Sequence, residues 1–495
     1  METDVPAETE AVPSADVARV VPQRLLLVLP TTAEFDSRTW RIAGAAVARG
    51  HTVTVLARSG PGLPDDELHP AGYRILRVPS RAVDGLPGRR LRRLAAPRPA
   101  PGSTDPKPSE TPAAGRQAGG QPAGGQPGGD HPAGGDPGGD HPAPAVGGTG
   151  TTARIARLPV RIARRLAASL MRRAAIVLVI RAQRIGAERV APDADVIHGM
   201  AYMGVPVALA LRASGRAPRP SVVYDARDIY IDAANLARSP RWMRWLVGRA
   251  ERRWARSADR VITVNQPYAD VMARRWQLPT PLIVMNCSDP IEATDAPDGR
   301  FQRELGLPRD TLVVLYQGGF SRDRGIEQLI TAIDAVPGAT LVLMGYGVLG
   351  GWLREIEAGR ADGRVRVMRA VPPSELLAWV GAADVVAMPI QPSTLNHRLT
   401  TPNKLFEALA AGVPVVASDL PGMAPIVRST GAGEVVDPTD PTAIAAAIRS
   451  ILERPAEERA ALRRTAHRAA DESYNWDAQV TKLFEAYGSL TGRPW

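Results

Sequence analysis

Residues 400–422 read TTPNKLFEALAAGVPVVASDLPG. Thr401 is placed to cap a helix whose first residue is Pro402, because a hydroxyl can accept from the first-turn amides and proline has no N–H to lose there. Glu407 lies about one turn further along, Gly412 stands where the helix stops, and VPVVAS follows at once as an apolar strand. A helix that runs directly into a continuous apolar strand is half of a βαβ unit, in which a parallel sheet is covered on both faces.

The same alternation extends outward. TLVVLYQGG from Thr311, ATLVLMGYG from Ala339, RVRVM from Arg364 and ADVVAMP from Ala383 are further strands, each followed by a helical stretch. They define a doubly wound domain over about 300–470. Upstream, RLLLVLP (Arg24–Pro30), HTVTVLA after a helix over 37–48, YRILRVP, DVIHG from Asp195, SVVYDARD from Ser221 and DRVITVN from Asp259 repeat the pattern, with helices near 205–213 and 240–257. The fold class is therefore α/β, with two tandem Rossmann-like parallel-sheet domains, and open sheets of this kind bind ligands at the carboxyl ends of their strands. The cleft where two such sheet ends face each other is the expected place for chemistry.

Residues 101–150 hold 25 Gly or Pro and a loose repeat, GGQPAGGQPGGDHPAGGDPGGDHPA. Such a stretch has no apolar surface with which to offset ordering entropy, so 95–150 is expected to be a disordered insertion in the first domain. His131 and His141, ten residues apart in it, are weak metal ligands. The expected organisation is a tail over 1–22, a first domain over 23–94 and 151–295, a second over 296–472, and a last helix within 473–495 crossing back to the first.

The formal charge is +10, but +9 of it sits between Thr152 and Val190, where ten arginines face one acid, Glu188. The remainder is close to neutral, so a general nucleic-acid surface is not implied, and no aromatic platform interleaves these arginines. RIARLPVRIARRLAASLMRRAAIVLVIRAQRI over 154–185 mixes arginine with aliphatics at roughly helical spacing. It suits an anionic membrane surface, or a surface helix whose arginines pair with acids elsewhere. The apolar run Ala174–Ile180 is too short to span a bilayer, which takes about 20 residues. The acidic start lacks the basic end and apolar run of a signal peptide. A single cysteine, Cys287, excludes an intramolecular disulfide framework and a Cys-rich metal site. A cytoplasmic protein is expected, with peripheral contact at the inner face of the plasma membrane left open.

Two pieces carry candidate chemistry. YQGGFSRDRGIEQL puts Gly318 and Gly319 at a strand end, then Arg322 and Arg324, then a helix opening near Gly325. Glycines let backbone approach a ligand, helix N-terminal amides favour anions, and arginine forks onto phosphate. The spacing is neither GxGxxG nor a Walker motif, and a tight turn with exposed arginines fits it equally. In the other piece, Glu407 near a helix start could accept two vicinal hydroxyls, although spacing alone leaves it readable as a solvated helix glutamate.

The run PNKLFEALAAGVPVVASDLPG, with YQGGFSRDRGIEQLI, MGYG and the closing SYNWDAQVTKLFEAY, resembles the C-terminal nucleotide-sugar domain of retaining glycosyltransferases of family 4 (glycosyl transferases group 1), which have the GT-B fold. DVIHG, YDARDIY, ADRVITVN and VMNCSD resemble segments of the same family more weakly. The resemblance implies a hexosyltransferase acting on a nucleoside-diphosphate sugar, with Glu407 on the ribose, Arg324 on the diphosphate and His198 facing the sugar. Gly318, Gly319, Arg322, Gly345, Asn403, Lys404 and Leu405 would complete the nucleotide site. The acceptor would be a glycan, a lipid-linked molecule or a small molecule. No metal or other cofactor and no nucleic acid are expected, and the diphosphate itself could take the acceptor's proton.

Three positions depart from the family pattern. Leu399 stands where a first glutamate commonly precedes Glu407 by eight residues, Gly319 where an arginine is usual, and Arg227 where a histidine is common. Subgroups with a PxKxxE pattern share the first departure, and Asn396, His397, Thr400 or Lys404 are left to supply the sugar contacts. A non-catalytic sugar-nucleotide or glycan binder and another GT-B enzyme, such as a sugar-nucleotide epimerase, remain as alternatives.

Overall fold

In a computed structural model of the chain, the residues described are 21–34, 36–81, 176–215, 218–233, 236 and 239–495. The tail up to residue 20, the Gly/Pro tract of 95–150 with His131 and His141, and the basic stretch as far as 175 lie outside them. The architecture that follows belongs to one compact unit, which holds every described residue but 176 and 177.

The first sheet is built from β1 (Arg24–Val28), β2 (Thr52–Arg58), β3 (Asp66–Leu68), β4 (Arg74–Val78), β5 (Val196–Met200), β6 (Ser221–Asp225), β7 (Arg260–Thr263) and β8 (Leu282–Ile283). Their order is β3-β4-β2-β1-β5-β6-β7-β8, and all neighbours are parallel except the β3–β4 edge pair. The second sheet takes β9 (Leu312–Gly319), β10 (Ala339–Tyr346), β11 (Val365–Arg369), β12 (Val385–Met388), β13 (Val415–Ser418) and β14 (Gly433–Val436) in the order β11-β10-β9-β12-β13-β14, wholly parallel.

Strands buried on both faces explain the continuous apolar runs. Leu25 to Val28 and every residue of β5, β12 and β13 are buried, so each strand is apolar without alternation. β1 pairs on one side with β2, Leu25 opposite Val53, and on the other with β5, Leu25 opposite Val196. β9 stands likewise between β10 and β12. Strand order thus reverses beside β1 in one sheet and beside β9 in the other, and such reversals open a crevice at the carboxyl ends of the strands.

The last helix, Trp476–Thr491, leaves the second domain and packs on the first. Trp476, Val480, Leu483, Phe484 and Tyr487 join a core with Leu25, Leu27, Ile42 and Val53. Polar contacts also tie the two domains together. Asn396 accepts from the Ile229 amide at 2.9 Å and its carbonyl accepts from Tyr268 Oη at 3.0 Å, while Asn265 Nδ2 donates to the Leu399 carbonyl at 2.7 Å.

Part of the expected basic helix is described, as a helix over 176–190. Ala182 and Ala187 face the first sheet's core with Leu26 and Val78, and Arg184 pairs with Glu188 at 2.7 Å. Among the described residues no helix is long and apolar enough to cross a membrane.

Candidate functional site

The carboxyl end of β9 is where the second domain opens. Gly318 has φ +119°, a conformation that disfavours side chains. Beside it in register stands Gly345 at the end of β10. A Cβ on Gly345 would fall 1.9 Å from the Gly318 carbonyl oxygen, so the two backbones meet closely because neither carries a side chain. Tyr316 Oη donates to the Gly319 carbonyl at 2.9 Å and steadies the strand end. The loop then turns through Asp323, at φ +65°, into the helix Ile326–Ile333.

The helix Asn403–Ala410 brings two charged side chains to this strand end. Lys404 Nζ sits 3.6 Å from the centroid of the Tyr316 ring and abuts Gly318, a favourable cation–π placement. Burial, reinforced by Arg324, brings the Lys404 ammonium down to about 7, against the pull of Glu407. Glu407 accepts from Gln317 Nε2 at 3.5 Å. Burial pushes its carboxyl up, with Arg41, Gln317 and Lys404 acting against the shift. Among the described residues neither Arg324 nor Lys404 pairs with a carboxylate. Arg324 and the Lys404 amine side by side, neither in a direct ion pair, at a glycine-rich strand end make a site for a polyanion.

The first domain supplies the opposite wall. Asp36 caps the helix Ser37–Ala48 by accepting from the Thr39 amide at 3.0 Å. Arg227 forks onto the same carboxylate, both contacts being 3.0 Å. Burial alone would raise the Asp36 carboxyl, and Arg227 with Thr39 outweighs it and holds it low. Arg38 Nε donates to Asp225 at 2.6 Å and Nη1 to the Val284 carbonyl at 2.9 Å. Arg41 donates to the Cys287 carbonyl at 2.5 Å and to Ser288 Oγ at 3.0 Å.

Between these walls lies a cavity of about 670 Å³, within the range of pockets that hold small ligands and cofactors. Of the residues singled out from sequence, Gly318, Gly319, Arg324, Gly345, Asn403, Lys404 and Glu407 line it together, with Thr400 and Arg227. Asp36, Arg38, Asp228, Tyr268, Asn286 and Gln317 line it too and are not singled out from sequence, although Asp228, Asn286 and Gln317 lie within the quoted segments YDARDIY, VMNCSD and YQGG. Asp36 could have been read as a helix cap and Gln317 from its place before Gly318; the others are brought in by chain segments far apart in sequence.

Three expected site residues are elsewhere. His198 is fully buried, with Nδ1 2.5 Å from Tyr487 Oη and Nε2 3.4 Å from Asp225. It does not line the cleft: the last helix covers it. Burial lowers its basicity against the pull of Asp225, and Arg38 with His198 holds the Asp225 carboxyl well below the usual range despite its own burial. Arg322 points into a separate hollow with Glu327 and Trp352, because the left-handed turn at Asp323 sends it and Arg324 apart. Leu405 is fully buried on the core side of its helix. Thr401 is not the helix cap either. Pro402 holds that position, and Thr401 accepts from Asn265 Nδ2 at 2.9 Å and donates to the Gly422 carbonyl at 2.7 Å.

The sugar-contact candidates also divide. Thr400 reaches the cavity, Asn396 is spent on the domain junction, and His397 is held 2.9 Å from Ser393 Oγ, outside the cavity lining. Leu399 packs beside Tyr268 and Trp276 of the first domain.

Residues 311–454 match the family model described as Glycosyl transferases group 1. A D-inositol 3-phosphate glycosyltransferase of Xylanimonas cellulosilytica is 31% identical over 199 residues, 39% of this chain and 46% of that protein. The chain thus spans less than half the length of this relative. Among solved structures, sucrose-phosphate synthase from Thermosynechococcus elongatus superposes with a TM-score of 0.62 at 20% identity, covering 95% of this chain and 99% of the other. HepE of Anabaena, in complex with UDP and glucose, gives 0.56 at 15% identity, covering 94% and 100%. These likenesses show the fold: two parallel-sheet α/β domains arranged as in GT-B glycosyltransferases.

Proposed function

We propose that the chain is a glycosyltransferase that binds a nucleoside-diphosphate sugar in the interdomain cleft and transfers the sugar with retention of anomeric configuration, as family 4 enzymes do. The observation that carries this reading is the convergence of Gly318, Gly319, Arg324, Lys404 and Glu407 on one cavity. The match of 311–454 to Glycosyl transferases group 1 supports it, as does HepE, whose complex holds UDP and glucose in the same fold.

In this reading the Gly318–Gly319 backbone and the start of the helix Ile326–Ile333 face the diphosphate, Arg324 and Lys404 neutralise it, and Glu407 accepts the ribose hydroxyls. Departure of the diphosphate builds negative charge on its oxygens. Fixed cations already in place stabilise that charge, and removal of one such group typically costs about a hundredfold to a thousandfold in rate. The cations come from side chains, so the site is proposed to need no divalent ion. On the first-domain wall, Asp36, Arg227 and Asp228 would meet the acceptor, and an oxygen of the leaving diphosphate could take the acceptor's proton. The acceptor is a glycan, a lipid-linked molecule or a small molecule.

The half-buried Leu399, packed against the first-domain core where the family resemblance implies a glutamate, favours a second reading, a non-catalytic sugar-nucleotide binder. A panel of UDP-, GDP- and ADP-sugars separates the two. Release of nucleoside diphosphate with a product of retained configuration supports the enzyme; tight binding of one donor with no turnover of any supports the binder.

A further inference from the structure

The helix Arg241–Ser257 carries six arginines and one acid among its 17 residues. Its inner face is accounted for: Met243, Glu251 and Ala255 are buried against the first domain. Its outer face is not. Trp242, Trp245, Leu246, Arg249, Arg253 and Arg256 follow one another at helical spacing, i, i+3, i+4, i+7, i+11 and i+14, and so share one side. Trp242 is 55% exposed, Trp245 62% and Leu246 49%. Beside this face runs an open hollow of about 1290 Å³, lined by eight arginines and by no acidic residue. Among the described residues Arg249, Arg253 and Arg256 have no carboxylate partner.

Two tryptophans and a leucine held in water by a rigid helix, with unpaired arginines along the same side, suit a partner that is apolar inside and anionic at its surface. We propose that this face docks on an anionic phospholipid bilayer, with Trp242, Trp245 and Leu246 entering the interface and the arginines meeting lipid phosphates. Arg184, from the end of the basic stretch of 154–185, lines the same hollow. A nucleic acid fits less well, because bases stack on aromatic platforms and gain nothing from Leu246. The docked face also lies near the cleft. Asp228 lines the cleft and Ile231 lines the basic hollow, and three residues of chain reach at most about 11 Å.

Co-sedimentation of the full chain with vesicles tests the proposal without any appeal to catalysis. The protein is expected to bind vesicles of phosphatidylglycerol and phosphatidylcholine in equal parts, to lose that binding in high salt, and to ignore phosphatidylcholine alone. Trp242→Ser with Trp245→Ser should weaken binding about tenfold or more. Arg249→Gln with Arg253→Gln and Arg256→Gln should weaken it about a hundredfold. Melting temperature and nucleotide affinity should not change in either variant, since these side chains project into water. Equal binding to neutral vesicles, no binding at all, or full binding by the arginine variant overturns the assignment. So does tighter binding to a single-stranded oligonucleotide that the same variants abolish.

Discussion

Lys404 makes the occupancy of the cleft depend on pH, in a direction the geometry determines. Burial of its ammonium between Tyr316 and Gly318, with Arg324 nearby, brings it down to about 7. The ordinary lysine value lies above 10, so the charged form is the one that burial disfavours. A diphosphate needs that charged form. Below pH 7 the cation is already present; above it Lys404 must take up a proton on binding, and affinity should fall by up to about tenfold per pH unit. At pH 8 a group titrating near 7 is about nine-tenths neutral, so binding should draw in close to one proton. Isothermal titration of the nucleoside diphosphate between pH 7 and 9, in two buffers of different ionisation enthalpy, measures both quantities. The terminal phosphate, with a second pKa near 6, is about nine-tenths ionised at pH 7 and adds only a small opposite slope at that end of the window. Lys404→Met should bind more weakly at pH 7 and show no slope. A flat affinity from pH 7 to 9, no proton uptake, or an unchanged slope in Lys404→Met would refute the reasoning.

Two substitutions separate the cleft from the core beneath it. His198→Ala should lower stability by about 2 to 4 kcal/mol, because it leaves a cavity and strips a hydrogen-bond partner from buried Tyr487; donor KM should hold, and an unshifted melting temperature would contradict the buried placement. Gly345→Ala must displace the Gly318 carbonyl that its Cβ would meet, so nucleotide affinity should fall tenfold or more while Arg322→Ala, in its separate hollow, leaves affinity unchanged. Equal effects from these two would dissolve the distinction between the cleft and the hollow.

Much of the second domain can be read from residues alone. β9, β10, β12 and β13 are buried on both faces and so appear as unbroken apolar runs, and Gly412 ends the helix before VPVVAS as its position suggests. β3, β8 and β14 escape notice because they are short or half-exposed and lack such a run. The second-domain lining of the cleft can be read for a related reason: one loop and one helix carry most of it, and their glycines and charges sit close together in sequence. Arg322 and Arg324 were not separable, since a single left-handed residue between them decides which faces the cleft. His198 sits at a strand end like a site residue, but whether it is open to ligand depends on Tyr487, 289 positions away. The first-domain wall gathers Asp36, Arg227, Tyr268 and Asn286 from four separate stretches, and only the folded sheet brings them together.

The donor-site assignment rests most directly on Glu407, whose carboxylate lines the cavity beside Gln317. The measurement is the affinity of the preferred nucleoside diphosphate for Glu407→Ala against the parent chain, with melting temperatures of both. The account predicts affinity about a hundredfold weaker, consistent with loss of a charged hydrogen-bond partner in a buried cleft, and a melting temperature within a few degrees. Unchanged affinity in a folded Glu407→Ala protein would contradict it.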